Sequence, residues 1–190
     1  MAPIIEVSDE ILNGLNQLKV PYRLKNQIKD NDKYVFVPSI GLYVSKERSL
    51  QRKNWFDSHK ELQKQGTKML TVPQFVEFLK YLKSNSADYQ NLFDDITQVR
   101  IPRRAEWIDA DFKVKDKKLY INSDHVYEDG NLVPKNSESL DKNTLMADRT
   151  PGISLDSWLE NPTKQGLPSK EVKSGNLYYW YPRSDDNSVA

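Results

Sequence analysis

Apolar positions recur at two different spacings along this chain, and the spacing predicts the elements. In "SDEILNGLNQL" (8–18), Ser8 and two acids precede Ile11, Leu12, Leu15 and Leu18, which share one helical face. Gly14 weakens that helix and "VPYRL" ends it. "KYVFVPSIGLYVS" (33–45) holds two short runs rich in Val, Tyr and Phe around "PSIG", which predicts a strand pair. "NWFDSHKELQKQG" (54–66) predicts a short polar helix closed by Gly66. "TVPQFVEFLKYLKS" (71–84) carries the clearest helical signal. Thr71 and Gln74 have capping-box spacing, and Phe75, Phe78, Leu79 and Leu82 form an apolar stripe that reads as core. "SNSADYQNLFDD" (84–95) is polar and reads as a mobile connection.

The second half changes period. "FKVKDKKLYIN" (112–122) alternates around Asp116-Lys117, and "HVYEDGNLVP" (125–134) sets Asp129-Gly130 between apolar pairs, so both predict hairpins. A turn-rich stretch follows, with a short helix at 154–160 capped by Ser154 and packed through Leu155 and Trp158. The chain then runs into "GNLYYWYPRSDDNSVA" (175–190). As a strand, "LYYWY" puts Leu177, Tyr179 and Tyr181 on one face and Tyr178 with Trp180 on the other. These elements make an α+β fold of short helices and small antiparallel sheets. They divide into an N-terminal α+β portion (1–98) and a strand- and turn-rich portion (99–190), or run on as one continuous domain.

Composition narrows the chemistry. With 28 Lys+Arg against 27 Asp+Glu, the net charge is +1, and no global field draws the chain to nucleic acid or an anionic membrane. The 190 residues suffice for a sizeable core, and a mean hydropathy of -0.75 contains no stretch long enough for a membrane span. Neither does the N-terminus carry a secretory signal, so a cytoplasmic or virion-associated location is expected. There is no Cys, hence no disulfide and no thiolate metal ligand.

Three places could carry chemistry. Arg100, Arg103 and Arg104 precede Glu106, Asp109 and Asp111. The two trios could form a phosphate clamp facing a metal, or a salt-bridged segment that packs Trp107 and Phe112 inward. Asp109 and Asp111 would need a third ligand, and the linear sequence points to none. The two histidines, His59 on a polar helix and His125 near a turn, show no sequence neighbour suited to a metal or catalytic site. They read as exposed or hydrogen-bonded structural residues. No catalytic residue, metal ligand or cofactor is therefore expected.

The third place is the C-terminal stretch. "GISLDSWLENPTKQGLPSKEVKSGNLYYWYPRSDDNSVA" (152–190) resembles the approach to the variable segment in target proteins of diversity-generating retroelements, particularly archaeal and viral ones. Trp158, the "GLP" at 166–168, "GNLYYWYPR" at 175–183 and "NSVA" at 187–190 carry the resemblance. It implies a C-type-lectin-like scaffold, related to that of formylglycine-generating enzymes. It also implies a binder rather than an enzyme, with a variable protein or cell-surface ligand as partner. In that family a Gly-Val-Arg type ending would follow, so the C-terminal strands are expected to be incomplete. The resemblance assigns ligand contact to Tyr178, Trp180, Tyr181, Arg183, Ser184, Asp185, Asp186 and Asn187. Displayed aromatics with adjacent Ser, Asp and Asn suit recognition. The alternative is a nucleic-acid-associated protein of an archaeal or viral mobile element, using the Arg100, Arg103, Arg104 cluster.

Overall fold

Valine at alternate positions buries one face of the first hairpin: Val35 and Val37 of β1 (Tyr34–Val37) and Leu42 and Val44 of β2 (Leu42–Ser45) point inward. A 3-10 turn, Pro38–Ile40, joins them, and Gly41 closes it at φ 62 with its N–H on the Pro38 carbonyl. This computed structural model describes residues 33–47, 49–98, 106–146, 152–178 and 188–189. The helix expected over 8–18 lies outside them.

Three helices follow. In α1 (Trp55–Lys64) the Asn54 side chain accepts the Asp57 N–H at the start, and Gly66 at φ 68 marks the end. In α2 (Val72–Ser84) the Gln74 side chain accepts the Thr71 N–H at 3.0 Å, as the capping-box spacing predicts. Residues expected to form a mobile connection are instead α3 (Ser86–Thr97). Tyr89, Leu92, Phe93 and Ile96, at helical spacing, pack on the cluster of Val35, Val37, Val44, Phe78 and Leu82. Tertiary burial of this stripe outweighs the polar composition of the other positions.

The main sheet has four strands in the order β5-β4-β3-β8, all antiparallel. Its strands are β3 (Asp111–Lys115), β4 (Lys118–Glu128), β5 (Asn131–Ser139) and β8 (Ser188–Val189). Both predicted hairpins form. Asp116 and Lys117 take φ 51 and 60, and Asp129 and Gly130 take φ 51 and 82, the left-handed pair that a two-residue turn requires. Pro134 is tolerated because β5 is an edge strand. A two-stranded sheet joins β6 (Gly152–Ile153) to β7 (Leu177–Tyr178). The two terminal strands thus find partners in two different sheets.

Helix α2 reaches all three apolar clusters. Phe78 and Leu82 face the first hairpin; Val76 and Leu79 face Ile153, Trp158 and Leu159; Val72 faces Ile121 and Leu167. Trp158 and Leu159 belong to the short helix α4 (Leu155–Glu160), whose Ser154 cap accepts the Ser157 N–H as expected. Trp107 departs from the reading of an inward-packed segment: it is 52% exposed, with its indole N–H donating to the Lys53 carbonyl. Phe112 does pack, against the Val72, Ile121 and Leu167 cluster. The architecture is a mixed helix-and-sheet fold of short helices and small antiparallel sheets. No helix among the described residues is long and apolar enough to cross a membrane.

Candidate functional site

Both histidines of the chain meet at one carboxylate. His59 is 1% exposed, His125 4% and Asp109 1%. The His125 Nδ1 lies 2.5 Å from Asp109 Oδ1, its backbone N–H donates to Asp109 Oδ2 at 3.1 Å, and His59 Nε2 lies 3.6 Å from Asp109 Oδ1. On the far side of the ring, His125 Nε2 is 3.7 Å from Asp111 Oδ2. Of the two alternatives expected for the histidines, exposed or hydrogen-bonded, neither residue is exposed, and His125 is hydrogen-bonded to Asp109.

Each side chain arrives by a different route. His59 and Gln63, one turn apart on α1, both face β4. The Gln63 amide donates to the His125 carbonyl at 3.0 Å and accepts the Tyr127 N–H at 2.8 Å, so it clamps the helix to the backbone on either side of Val126. Asp109 is held by its own N–H, which donates to the Leu70 carbonyl at 2.8 Å, and by a parallel bridge to Thr71 at the start of α2. The Trp55 indole N–H donates to the Ile108 carbonyl, and its ring stands edge-on to both imidazoles. Asp124, just before His125, sits at φ 54 within β4 and pairs with Lys68 at 2.9 Å. A left-handed aspartate inside a strand is uncommon and is held by its surroundings.

The electrostatics differentiate the two rings. For His59, burial is the largest influence and disfavours the charged form. Asp109 opposes it and His125 adds to it, and the net effect lowers the pKa. For His125 burial is again the largest single influence, but the hydrogen bond to Asp109 and the nearby charges of Asp109 and Asp111 together outweigh it and raise the pKa to about 9. At neutral pH the centre is therefore an imidazolium–carboxylate pair beside a neutral imidazole, and the close approach of His59 to Asp109 is not an ion pair. Among the described residues, burial leaves three side-chain atoms here without a hydrogen-bond partner: His59 Nε2, His125 Nε2 and Asp111 Oδ1. Each orphaned atom of this kind costs roughly 1–3 kcal/mol.

These shifts predict a pH optimum for the stability of the protein. The folded state holds a proton on His125 that the unfolded state releases above pH 6.5, so stability falls as pH rises from 6.5 through about 9. That loss is on the order of 3 kcal/mol. His59 acts oppositely: below pH 6.5 the unfolded chain takes up a proton that the buried ring refuses, so stability also falls on acidification. Urea midpoints measured from pH 5.5 to 9.5 should peak near 6.5, the ordinary value for histidine. A monotonic rise across that range would contradict this assignment.

The other anticipated positions do not join this centre. Glu106 is exposed, and it is not among the residues that could together hold an ion. Arg100, Arg103 and Arg104 lie outside the described residues. So do Trp180, Tyr181, Arg183, Ser184, Asp185, Asp186 and Asn187. The backbone of Tyr178 pairs with Gly152 in the β6–β7 sheet, and Val189 pairs with Phe112 in the main sheet. Beside β7 a shallow cleft is lined by Thr97, Ser154, Asp156, Gly175, Asn176 and Leu177.

What sequence reading missed was the convergence itself. Asp109 and Asp111 lack a third partner along the chain, but His59 and His125, 50 and 16 residues from Asp109, reach it through the fold. A signal was available in principle: a histidine facing the same helical side as Leu62 and Trp55 is not on a purely solvated surface. Comparison with known proteins finds no family model, no curated protein and no solved structure that this chain matches. The class established by fold and site is thus an α+β protein with a buried His–Asp–His centre.

Proposed function

We propose that this chain is a ligand-binding display protein of a diversity-generating retroelement, built on a C-type-lectin-like scaffold. It recognises a variable protein or cell-surface ligand through Tyr178, Trp180, Tyr181, Arg183, Ser184, Asp185, Asp186 and Asn187. The observation that carries this reading is the resemblance of residues 152–190, above all "GNLYYWYPR". The strand pairing of the described residues 177–178 and 188–189 lends support, since binding residues concentrate beside a rigid scaffold. The polar cleft beside β7 adds a concave surface. Tyr and Trp supply rigid contact area, and Ser, Asp and Asn supply adaptable hydrogen bonds.

Deep sequencing of the locus in a natural population tests the reading. Substitutions should concentrate at codons 178–187 and match adenines in a near-copy repeat beside a reverse transcriptase gene. Invariant codons with no such repeat would remove it.

A further inference from the structure

We propose that His59, Asp109 and His125 form a binding site for one divalent transition ion of the zinc class, which locks helix α1 onto strand β4. One ligand atom from each residue lies within 4.8 Å of the others, and all three side chains are buried. Drawing these donors onto one ion at the usual bond lengths of about 2.0–2.2 Å needs side-chain shifts on the order of 1 Å.

A second observation points to a ligand rather than to a closed hydrogen-bond network. The His59 Nε2 has no hydrogen-bond partner among the described residues although the residue is 1% exposed, and it is aimed at Asp109. Coordination would satisfy that atom directly. Asp111 then serves as an outer partner: its carboxylate, 3.7 Å from His125 Nε2, can accept that N–H while Nδ1 faces the ion. The mixed donor set selects the ion's class. Two imidazoles and one carboxylate suit zinc or a neighbouring first-row ion, whereas calcium and magnesium want oxygen donors. The three donors come from α1, the Thr71-bridged segment just before β3, and β4, so the ion would cross-link elements distant in sequence. The site shares no residue with 178–187, and its failure would leave the display reading untouched.

The test uses the untagged full chain, stripped with a chelator and titrated with Zn2+. Because the chain has two histidines and no cysteine, its imidazole nitrogens can be followed individually by long-range 15N NMR. Zn2+ should bind at one equivalent, move His59 Nε2 and His125 Nδ1 to metal-bound shifts, and leave Mg2+ and Ca2+ without effect. With the ion about 100-fold above its Kd, Tm should rise by roughly 5–10 °C. His59→Gln should abolish binding, and Asp111→Asn should weaken it roughly 10–100-fold. Imidazole shifts unchanged by excess Zn2+ would overturn the proposal, and so would undiminished binding by folded His59→Gln. If His59→Gln does not fold, the wild-type spectra decide alone.

Discussion

Asp109→Asn should cost roughly 3–5 kcal/mol of stability in chelator at neutral pH. The substitution keeps the shape and removes the charge that holds His125 protonated. Asparagine cannot accept from His125 Nδ1 and its backbone N–H while also balancing a buried imidazolium. The centre must then either shed the proton or bury an uncompensated cation. The result spreads beyond the side chain, because Asp109 sits where the Leu70 carbonyl, the Thr71 bridge and β4 come together. Urea unfolding gives the number directly. Asp124→Asn is the control: its pair with Lys68 is partly exposed, so the loss should stay below about 1 kcal/mol. Equal midpoints for the two variants would mean that the buried pair contributes little.

Trp158→Ala should lose roughly 3–5 kcal/mol by thermal unfolding, through a different mechanism. The ring fills a cluster with Val76, Leu79, Ile153 and Leu159, and its indole N–H donates to the Gly166 carbonyl at 2.8 Å. Gly166 takes φ 78 and leaves no room for a side chain: a Cβ there would stand 2.8 Å from the Pro73 nitrogen. The tryptophan thus pins a turn that must press against the start of α2. Residues 161–176 contain no helix or strand longer than a bridge, so this contact replaces the ladder that regular structure would supply. Trp158→Phe keeps most of the volume and loses the hydrogen bond, so about 1–2 kcal/mol is expected. A loss below about 1 kcal/mol for Trp158→Ala would show that the segment is held elsewhere.

The two predictions differ in how legible their residues were. Trp158 announced itself: an aromatic on a short, Ser-capped helix among turn signals has to pack somewhere, and it does. The Asp116-Lys117 and Asp129-Gly130 turns were equally readable, because a two-residue hairpin demands left-handed backbone and few sequences supply it. Helix α3 was misread for want of context. Its apolar positions recur at helical spacing, but without the hairpin of β1 and β2 nothing distinguishes that stripe from a polar linker. Trp107 was misread for the opposite reason. Its size implies burial, yet the Lys53 carbonyl satisfies it at the surface.

By itself, then, the sequence determined the local elements, since periodicity, caps and turn residues act over a few positions: the first hairpin, α1, α2, α4 and the β3–β4–β5 meander. Its C-terminal resemblance also carries the proposed function. The tertiary structure alone decided which side chains meet. Asp109 finds His59 and His125 because Gln63 clamps α1 to β4 and Leu70 holds the backbone of Asp109. Those are long-range hydrogen bonds made at single atoms, and no spacing along the chain encodes them. A buried charge centre arises from several elements closing on one point, and only the folded chain defines that point.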